Sequence, residues 1–205
     1  MKWRRLVPAP LRRWRLVLSH LDPAERRLLL GAGLGAMLHL DRRDWRAAMR
    51  QADNVVFVCH GNIIRSPLGE AALVREAASR GRAIKVSSAG LSARPGEPAD
   101  PRAVESAEDR DLSLEAHRAR LLDADLVARA GAIFIMDHVN LGHILARFPD
   151  AAGKVFLLGG CRPDGSVTLR EIHDPVSGSL ADVCVAHDEV EAAVRLLATA
   201  WDAPA

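Results

Sequence analysis

From about residue 54 onward, short apolar runs alternate with segments whose apolar residues recur at helical spacing. The apolar runs predict four buried strands, at residues 55–58, 84–89, 132–136 and 155–158. The segments around them predict helices at residues 67–79, 101–110, 122–130, 139–148 and 180–200. Continuous apolar strands separated by helices indicate a parallel sheet that helices cover on both faces. We therefore expect a doubly wound α/β fold with four parallel strands and a ligand site at the carboxyl ends of the strands.

The first 52 residues have a different pattern, in which arginines separate loosely amphipathic helical segments. Asp22-Pro23 followed by Glu25 predicts the start of a helix, which we expect to continue into the apolar run 28–40. Residues 41–51 predict a further short helix with Trp45, Ala48 and Met49 on one side. The chain therefore divides into a short helical extension over residues 1–52 and an α/β domain over residues 53–205.

The charge distribution follows nearly the same boundary. The 205 residues carry a net charge of +2, but residues 1–50 contain 12 Lys and Arg against 4 Asp and Glu, a net charge of +8. The remaining 155 residues carry a net charge of −6. Such a basic arm favours packing on the body or on another protein subunit, and contact with an anionic membrane surface is the alternative. Nucleic acid is not expected as a partner, because no nucleic-acid-binding motif accompanies the charge.

Several classes of protein are excluded by the same pattern. The chain has no run of 18 apolar residues, so an ordinary transmembrane helix is not expected. Prolines and arginines within residues 8–15 interrupt the apolar segment that a signal peptide needs. The three cysteines do not form a disulfide scaffold, and no spacing of cysteines and histidines fits a metal site. We expect a cytoplasmic protein without a metal or cofactor, which could lie at the inner membrane surface through its arm.

The turn after the first strand carries the strongest chemical signal. It reads Cys59-His60-Gly61-Asn62-Ile63-Ile64-Arg65-Ser66-Pro67. Ser66 as an N-cap and Pro67 as the first helical residue predict a helix that begins directly after the loop. Backbone N–H groups of such a loop, together with a helix N-terminus, form an anion site of phosphate size. This field favours the thiolate of Cys59, and the planar guanidinium of Arg65 suits two phosphate oxygens.

Further motifs along the chain resemble one known family, the low-molecular-weight protein tyrosine phosphatases, in their bacterial branch. The resemblance extends from residue 54 to about residue 200. The matches follow the order and spacing of the family, and they are the loop with Pro67 and Glu70, Ser87-Ser88-Ala89-Gly90, the segment 96–101, the segment 117–120, Met136-Asp137 with Asn140, and Asp174-Pro175.

The resemblance implies a phosphoric monoester hydrolase that acts on a phosphorylated protein or a small aryl phosphate. It implies that Cys59 is the nucleophile, Arg65 the clamp on the phosphate, and Asp174 the general acid and then the base. The phosphate-binding loop would comprise His60, Gly61, Asn62, Ile63, Ile64 and Arg65. By the same resemblance, Ser88, His117 and Glu70 would support a left-handed Asn62 through hydrogen bonds, and Ser66 would orient the thiolate of Cys59. Asp137 and Asn140 are expected to be turn and cap residues near the site.

The sequence departs from the family at the walls of the pocket, which leaves alternatives open. The chain has no Tyr, and the segments where relatives carry aromatic rings read Leu91-Ser92-Ala93-Arg94-Pro95 and Val176-Ser177-Gly178-Ser179. The latter segment resembles that of protein-arginine phosphatases, whereas the bulky Ile63 favours an aryl phosphate.

Two other functions are also compatible with the scaffold. Arsenate reduction requires two further cysteines close together, but Cys161 and Cys184 are 23 residues apart. A catalytically weak phosphate-binding module, tethered by its basic arm, is the non-enzymatic alternative.

Overall fold

A computed structural model of the protein describes residues 18–28 and 44–202. Four parallel strands form one sheet in the order β2-β1-β3-β4. The strands are β1 Asn54–Cys59, β2 Lys85–Gly90, β3 Ala132–Ile135 and β4 Val155–Leu157. The predicted doubly wound α/β class is confirmed, and each observed strand end lies within one residue of the predicted one. Because β1 and β2 are parallel and paired, their carboxyl ends at Cys59 and Gly90 lie side by side.

Within residues 23–28 and 44–202, seven α-helices accompany the sheet. They are α1 Pro23–Leu28, α2 Trp45–Gln51, α3 Arg65–Ser79, α4 Pro101–Glu108, α5 Ala124–Arg129, α6 His138–Arg147 and α7 Leu180–Ala198. Short 3-10 turns occupy Pro149–Lys154, Leu158–Gly160 and Thr199–Trp201. Most helices begin at an acidic or hydroxyl N-cap, as at Asp100 for α4, Asp137 for α6 and Ser179 for α7.

The start of α3 is an exception to this rule, and here the sequence prediction was wrong. The helix begins at Arg65 and not after it, and Ile64 occupies the cap position without a side-chain cap hydrogen bond. Ser66 therefore lies inside the first turn, where its hydroxyl contacts Cys59 instead of capping the helix. A side-chain cap would occupy the backbone N–H groups of the first turn, which an anion at this helix end needs.

Three phenylalanines lie in register across the sheet and form the centre of the core. Phe57 pairs with Phe134, and Phe134 pairs with Phe156, with ring centroids 5.8 Å and 5.7 Å apart. Helix α3 packs closely on this layer at Gly69, where an added Cβ would lie 2.8 Å from the ring of Phe57. This contact holds the first turn of α3 directly beside the end of β1.

The described parts of the predicted extension pack on the α/β body. Asp22 caps α1 as expected, since its Oδ1 accepts hydrogen bonds from the N–H groups of Ala24 and Glu25, both at 2.8 Å. Leu21, Trp45 and Met49 are buried in the same core as the sheet. The second helix begins at Trp45, later than predicted, because Asp44 is its N-cap.

Two further expectations concern the continuation of the first helix and the absence of a membrane-spanning helix. The predicted helical continuation through residues 28–40 lies largely outside the described residues. Across residues 18–28 and 44–202, no helix combines the length and the apolar character needed to cross a bilayer.

Candidate active site

The loop between β1 and α3 closes around the sulfur of Cys59, which lies at the last position of the strand. The side chain is buried, and its Sγ lies 3.0 Å from Ser66 Oγ. The backbone N–H of Asn62 also points at the sulfur, with a distance of 3.3 Å from N to Sγ. The sulfur therefore sits between a hydroxyl and a backbone donor at the N-terminal end of α3.

Asn62 holds the loop in this shape and has the left-handed backbone predicted for it, with φ of 57°. Its Nδ2 donates to Ser66 Oγ and to Ser88 Oγ, both at 2.9 Å. Its Oδ1 accepts from the backbone N–H of Arg120 at 2.9 Å, and its carbonyl oxygen contacts His117 Nε2 at 2.7 Å. Asn is one of the few residues that tolerate this conformation, and here both ends of its amide are used.

Strand β2 supports the loop from the other side. Ser88 accepts the hydrogen bond from Asn62 and donates its own hydroxyl hydrogen to Glu70 Oε2 at 2.5 Å. Two residues further on, a Cβ at Gly90 would lie 2.8 Å from the carbonyl oxygen of His60 and 2.9 Å from the nitrogen of Asn62. Only glycine allows the end of β2 to approach the loop this closely. Residues Ser66, Glu70, Ser88 and His117, predicted from the resemblance, are thus all brought together around Asn62.

Arg65 is buried beside the loop and is held by groups far away in sequence. Its Nη1 donates to Asp137 Oδ2 at 2.9 Å and to the carbonyl oxygen of Ile172 at 3.0 Å. Its Nη2 pairs with the carboxylate of Asp174. Asp137 also caps α6 as predicted, because its Oδ1 accepts from the N–H of Asn140 at 2.7 Å. Sequence reasoning missed its ion pair with Arg65, because no local pattern links two residues 72 positions apart.

The segment that carries Asp174 is fastened to the body by an arginine that the sequence analysis did not select. Arg102 donates to the carbonyl oxygens of Gly178, at 2.5 Å, and Val176, at 3.2 Å. Its guanidinium is in turn paired with Asp100, whose Oδ2 lies 2.6 Å from Nη2. The hydrogen bonds from Arg102 outweigh the effect of burial and lower the pKa of Asp100. The backbone N–H of Asp100 also donates to the carbonyl oxygen of Ile63. The ion pair of Asp100 and Arg102 therefore connects the loop after β1 to the Asp174 segment.

A cavity of about 340 Å³ opens above the sulfur. It is lined by Cys59, His60, Gly61, Ile63, Ile64, Arg65, Ser92, Arg94, Glu97, Asp174 and Val176. The three residues of the predicted catalytic set therefore face one cavity. Its walls beyond the loop are formed by a hydroxyl, charged groups and an aliphatic side chain.

A comparison with protein families agrees with this geometry. The family model described as low molecular weight phosphotyrosine protein phosphatase matches residues 54–203, which include the loop, both supporting strands and the Asp174 segment. The chain belongs to this family.

Relatives of this phosphatase include proteins named for phosphotyrosine and a protein named for phosphoarginine. Wzb of Escherichia coli K12, named a low molecular weight protein-tyrosine-phosphatase, is 34% identical over 151 residues, which cover 74% of this chain and 97% of the relative. A protein-arginine-phosphatase of Bacillus subtilis is 32% identical over 145 residues, which cover 71% of this chain and 94% of that protein. The solved structure of Wzb from Escherichia coli K30 in complex with sulphate is 30% identical. It superposes with a TM-score of 0.64 and covers 73% of this phosphatase and 98% of the solved chain.

Further groups of this phosphatase lie behind the site or away from it. His187 on α7 contacts the carbonyl oxygen of Ile64 through Nε2 at 3.2 Å and Ser106 Oγ through Nδ1 at 3.0 Å. Burial lowers the pKa of His187 to about 4, so the ring is neutral at physiological pH. Sequence reasoning missed this support because a histidine on a helix gives no signal of the loop it meets. In the described part of the chain, no group of three His, Cys, Asp or Glu side chains could hold a metal ion.

The two remaining cysteines do not join Cys59 at the cavity. Cys161 is buried, and this burial raises the pKa of its thiol to about 12. Cys184 is half-buried on α7. Neither side chain lines the cavity that contains Cys59.

Proposed function

We propose that this chain hydrolyses phosphotyrosine in proteins, or related aryl phosphates, through a phosphocysteine intermediate. One observation carries the proposal. The sulfur of Cys59, the guanidinium of Arg65 and the carboxyl group of Asp174 face a single cavity at the N-terminal end of α3. A thiolate below an anion-binding loop, with a carboxyl group above it, is an arrangement suited to phosphoryl transfer.

In the first step, the thiolate of Cys59 attacks phosphorus in line with the leaving oxygen. A sulfur–phosphorus bond forms, the bond from phosphorus to the leaving oxygen breaks, and Asp174 gives its proton to that oxygen. Arg65 and the loop stabilise the charge of the transferring phosphoryl group. Ser66 has one hydroxyl hydrogen, and its oxygen is 3.0 Å from the sulfur but 3.5 Å from the carbonyl oxygen of Ala89. The nearer partner favours donation to sulfur, which stabilises its negative charge.

In the second step, Asp174 is the base. It takes a proton from water as the water oxygen attacks phosphorus, and the sulfur–phosphorus bond breaks. The products are inorganic phosphate and the thiolate of Cys59, so the enzyme returns to its starting state.

The ion pair between Arg65 and Asp174 implies an order of events. Without a substrate, Nη2 of Arg65 binds the acid, while Nη1 is held by Asp137 and Ile172. An incoming phosphate competes for Nη2 and displaces the carboxylate of Asp174, which takes up a proton from the substrate monoanion or from solvent and then faces the leaving oxygen as the acid. Arg65 would thus keep one half of its guanidinium as an anchor and use the other half for the substrate.

The choice of an aryl phosphate depends on Ile63, which lines the cavity and is bulkier than the small hydroxylated residue of arginine phosphatases. Phosphoarginine is the second candidate, since a protein-arginine-phosphatase is among the relatives. Arsenate reduction is disfavoured because neither Cys161 nor Cys184 lines the cavity.

The partner in this proposal is a phosphorylated protein. An anionic membrane surface as a second partner of residues 1–50 remains a prediction, as does a cytoplasmic location.

The decisive experiment is turnover of an aryl phosphate by the full chain and by Cys59→Ser. We expect turnover by the unmodified chain and loss to background in the variant, because serine is not a thiolate nucleophile. Cys184→Ser is the matched control, since this thiol lies outside the cavity, and it should retain full activity. Background rates in the unmodified chain, or an active Cys59→Ser protein, would contradict the proposal.

The substrate class is tested by the same chain on matched peptides. Peptides with phosphotyrosine, phosphoserine and phosphoarginine in one sequence context should rank with phosphotyrosine first by kcat/KM. A preference for phosphoarginine would make the second candidate the correct one.

A further inference from the structure

A buried carboxylate joins the N-terminal part of the chain to the body. Glu25 lies on α1, outside residues 54–203 that match the family, and it is 7% exposed. Its Oε1 accepts from Arg147 Nε at 2.7 Å and lies 3.2 Å from His143 Nδ1, both on α6. Its Oε2 accepts from the backbone N–H of Asp22 at 3.2 Å, which completes the cap of α1. A buried acid on a short helix is thus matched to a specific arginine on the body.

Arg147 also contacts the segment that follows β2. Its Nη1 donates to the carbonyl oxygen of Leu91 at 2.8 Å. Leu91 follows directly after β2 and begins the segment 91–94, which we call the pocket wall because Ser92 and Arg94 line the cavity above Cys59. One guanidinium therefore bridges the N-terminal helix and the wall of the active site.

Other hydrogen bonds also hold the backbone of the pocket wall, and at its far end the N–H of Glu97 donates to the carbonyl oxygen of Arg94 at 3.1 Å. The N–H of Leu91 donates to the carbonyl oxygen of Cys59 at 3.1 Å, and the N–H of Ser92 donates to that of His60 at 2.9 Å. These two bonds tie the wall to the phosphate loop through its N–H groups. The bond from Arg147 holds Leu91 through its carbonyl oxygen instead, and so joins the start of the wall to α6.

The charge of Glu25 gives this arrangement its strength. Burial by itself raises the pKa of Glu25, but hydrogen bonds from Arg147, His143 and the backbone of Asp22 outweigh burial and leave the pKa below its ordinary value. The carboxylate is therefore ionised at neutral pH and orients the guanidinium through a charge-assisted hydrogen bond. The side chain of Arg147 is 35% exposed, so without its partner it would sample other rotamers in water.

We propose that Glu25, acting through Arg147, is a positioning residue for the pocket wall, so that the N-terminal helix takes part in substrate recognition. This inference rests on the proposed function for the identity of the substrate. In the proposed function the phosphate group binds in the loop 60–65. The wall faces the remainder of the substrate, namely the aryl ring and its peptide. Loss of Glu25 should therefore weaken recognition of the peptide and leave recognition of phosphate unchanged.

The test compares two ligands of the full chain in a Cys59→Ser background, where binding can be measured without turnover. The probes are a phosphotyrosyl peptide and inorganic phosphate. We expect Glu25→Gln and Arg147→Lys each to raise the Kd of the peptide about three- to tenfold, the scale of one hydrogen bond, while the Kd of phosphate changes less than about twofold. Glu25→Gln keeps the volume of the side chain, and Arg147→Lys keeps the charge but loses the fork that reaches two partners.

Leu21→Ala is the matched control for a purely structural effect. Leu21 directly precedes Asp22, the N-cap of α1, and its apolar side chain is buried in the core. Its loss weakens the packing of α1 but removes no hydrogen bond to Arg147. The proposal requires Glu25→Gln to raise the Kd of the peptide more than Leu21→Ala does, although Leu21→Ala lowers the melting temperature at least as much. Equal effects on peptide binding, or a parallel rise in the Kd of phosphate, would overturn it.

Turnover by the chain with an intact Cys59 separates this inference from the proposed function. A chain that hydrolyses the peptide but binds it equally well in Glu25→Gln and wild-type form overturns the positioning role alone. A chain that shows the expected change in peptide binding without any turnover overturns the proposed hydrolysis alone.

Discussion

At the scale of single residues, Arg65 divides its guanidinium between structure and chemistry. Its Nη1 is fixed by Asp137 and by the carbonyl oxygen of Ile172, whereas its Nη2 binds Asp174. A group that is anchored at one end loses little conformational freedom when its other end binds phosphate, which is the advantage of preorganisation.

The acid role of Asp174 predicts a loss that depends on the leaving group. Asp174→Asn should lower kcat about 10²–10⁴-fold for substrates with a poor leaving group, since general acid catalysis contributes on that scale. For activated aryl esters the loss should be small, because their leaving oxygen needs no proton. Steady-state kinetics on a series of aryl phosphates of graded acidity measures this dependence. An equal loss across the series would show that Asp174 is not the acid.

Asn62 combines two properties that substitutions can separate. Asn62→Gly removes the amide together with the Cβ and so keeps the left-handed backbone without strain, whereas Asn62→Ala removes the amide but keeps a Cβ at φ of 57°. We expect the alanine variant to be less stable than the glycine variant by about 1 kcal/mol, the cost of this conformation for a residue with a side chain. Both variants should lose most of the activity, because the hydrogen bonds to Ser66 and Ser88 are gone. Urea unfolding and kinetics measure the two effects, and equal stabilities would contradict the account of strain.

The sequence predicts those site residues that stand in a local motif, and it misses those that meet through the fold. Cys59 and Arg65 share one loop between a strand and a helix, and Asp174 stands before a proline, so each has a signal in its neighbours. Arg102 has none, because its contacts to Val176 and Gly178 depend on how α4 packs beside a segment more than 70 residues later. The prediction of Ser66 as an N-cap was wrong for a related reason, because its hydroxyl contacts the sulfur of Cys59 and not the backbone of the helix.

At the scale of elements, helix α7 supports the phosphate loop through His187. This ring contacts the carbonyl oxygen of Ile64 from the side opposite the cavity, and its neighbours include the charged groups of Arg110 and Asp188. Two helices that belong to different parts of the chain are thus coupled to the loop, α3 by continuation of the backbone and α7 by one imidazole.

The low pKa of His187 predicts a dependence of stability on pH. Burial lowers this pKa from 6.5 to about 4, so the unfolded chain binds a proton at a higher pH than the folded chain does. The contribution of the neutral ring to the free energy of unfolding is therefore fully present above about pH 6.5. It is lost as the pH falls toward 4, by about 3 kcal/mol in total. His187→Gln, which keeps a donor and an acceptor but does not titrate, should remove this part of the dependence.

The measurement is urea unfolding of the chain and the variant at several pH values between 4 and 7. His20→Gln is the control, because this histidine is exposed. If His187→Gln and the unmodified chain lose stability in parallel over this range, the ring of His187 is not the group responsible.

At the scale of the whole molecule, the N-terminal helices belong to the core of the phosphatase. Deletion of residues 1–50 removes the buried side chains of Leu21, Trp45 and Met49. Burial of three such side chains contributes about 5 kcal/mol or more, which is comparable to the stability of a whole domain at about 5–15 kcal/mol. The truncated chain should therefore melt at a much lower temperature or aggregate, as thermal unfolding would show.

One outcome of this truncation would contradict the prediction. A soluble truncated protein with an unchanged melting temperature and full activity would mean that the helices are peripheral to the fold. Trp45→Ala alone should reproduce part of the loss, because this ring is fully buried and its Nε1 donates to the carbonyl oxygen of Arg162 at 2.9 Å.

The strand order has a consequence for synthesis on the ribosome. Strand β1 leaves the exit tunnel first of the four, yet its place in the sheet is between β2 and β3. At about 5–20 residues per second, translation delivers β3 several seconds after β1. During that interval the apolar run Val55–Val58 has an unpaired edge, which is a template for pairing with other nascent chains. The central position that gives Cys59 its supporting neighbours therefore leaves its strand open to such pairing until β3 is made.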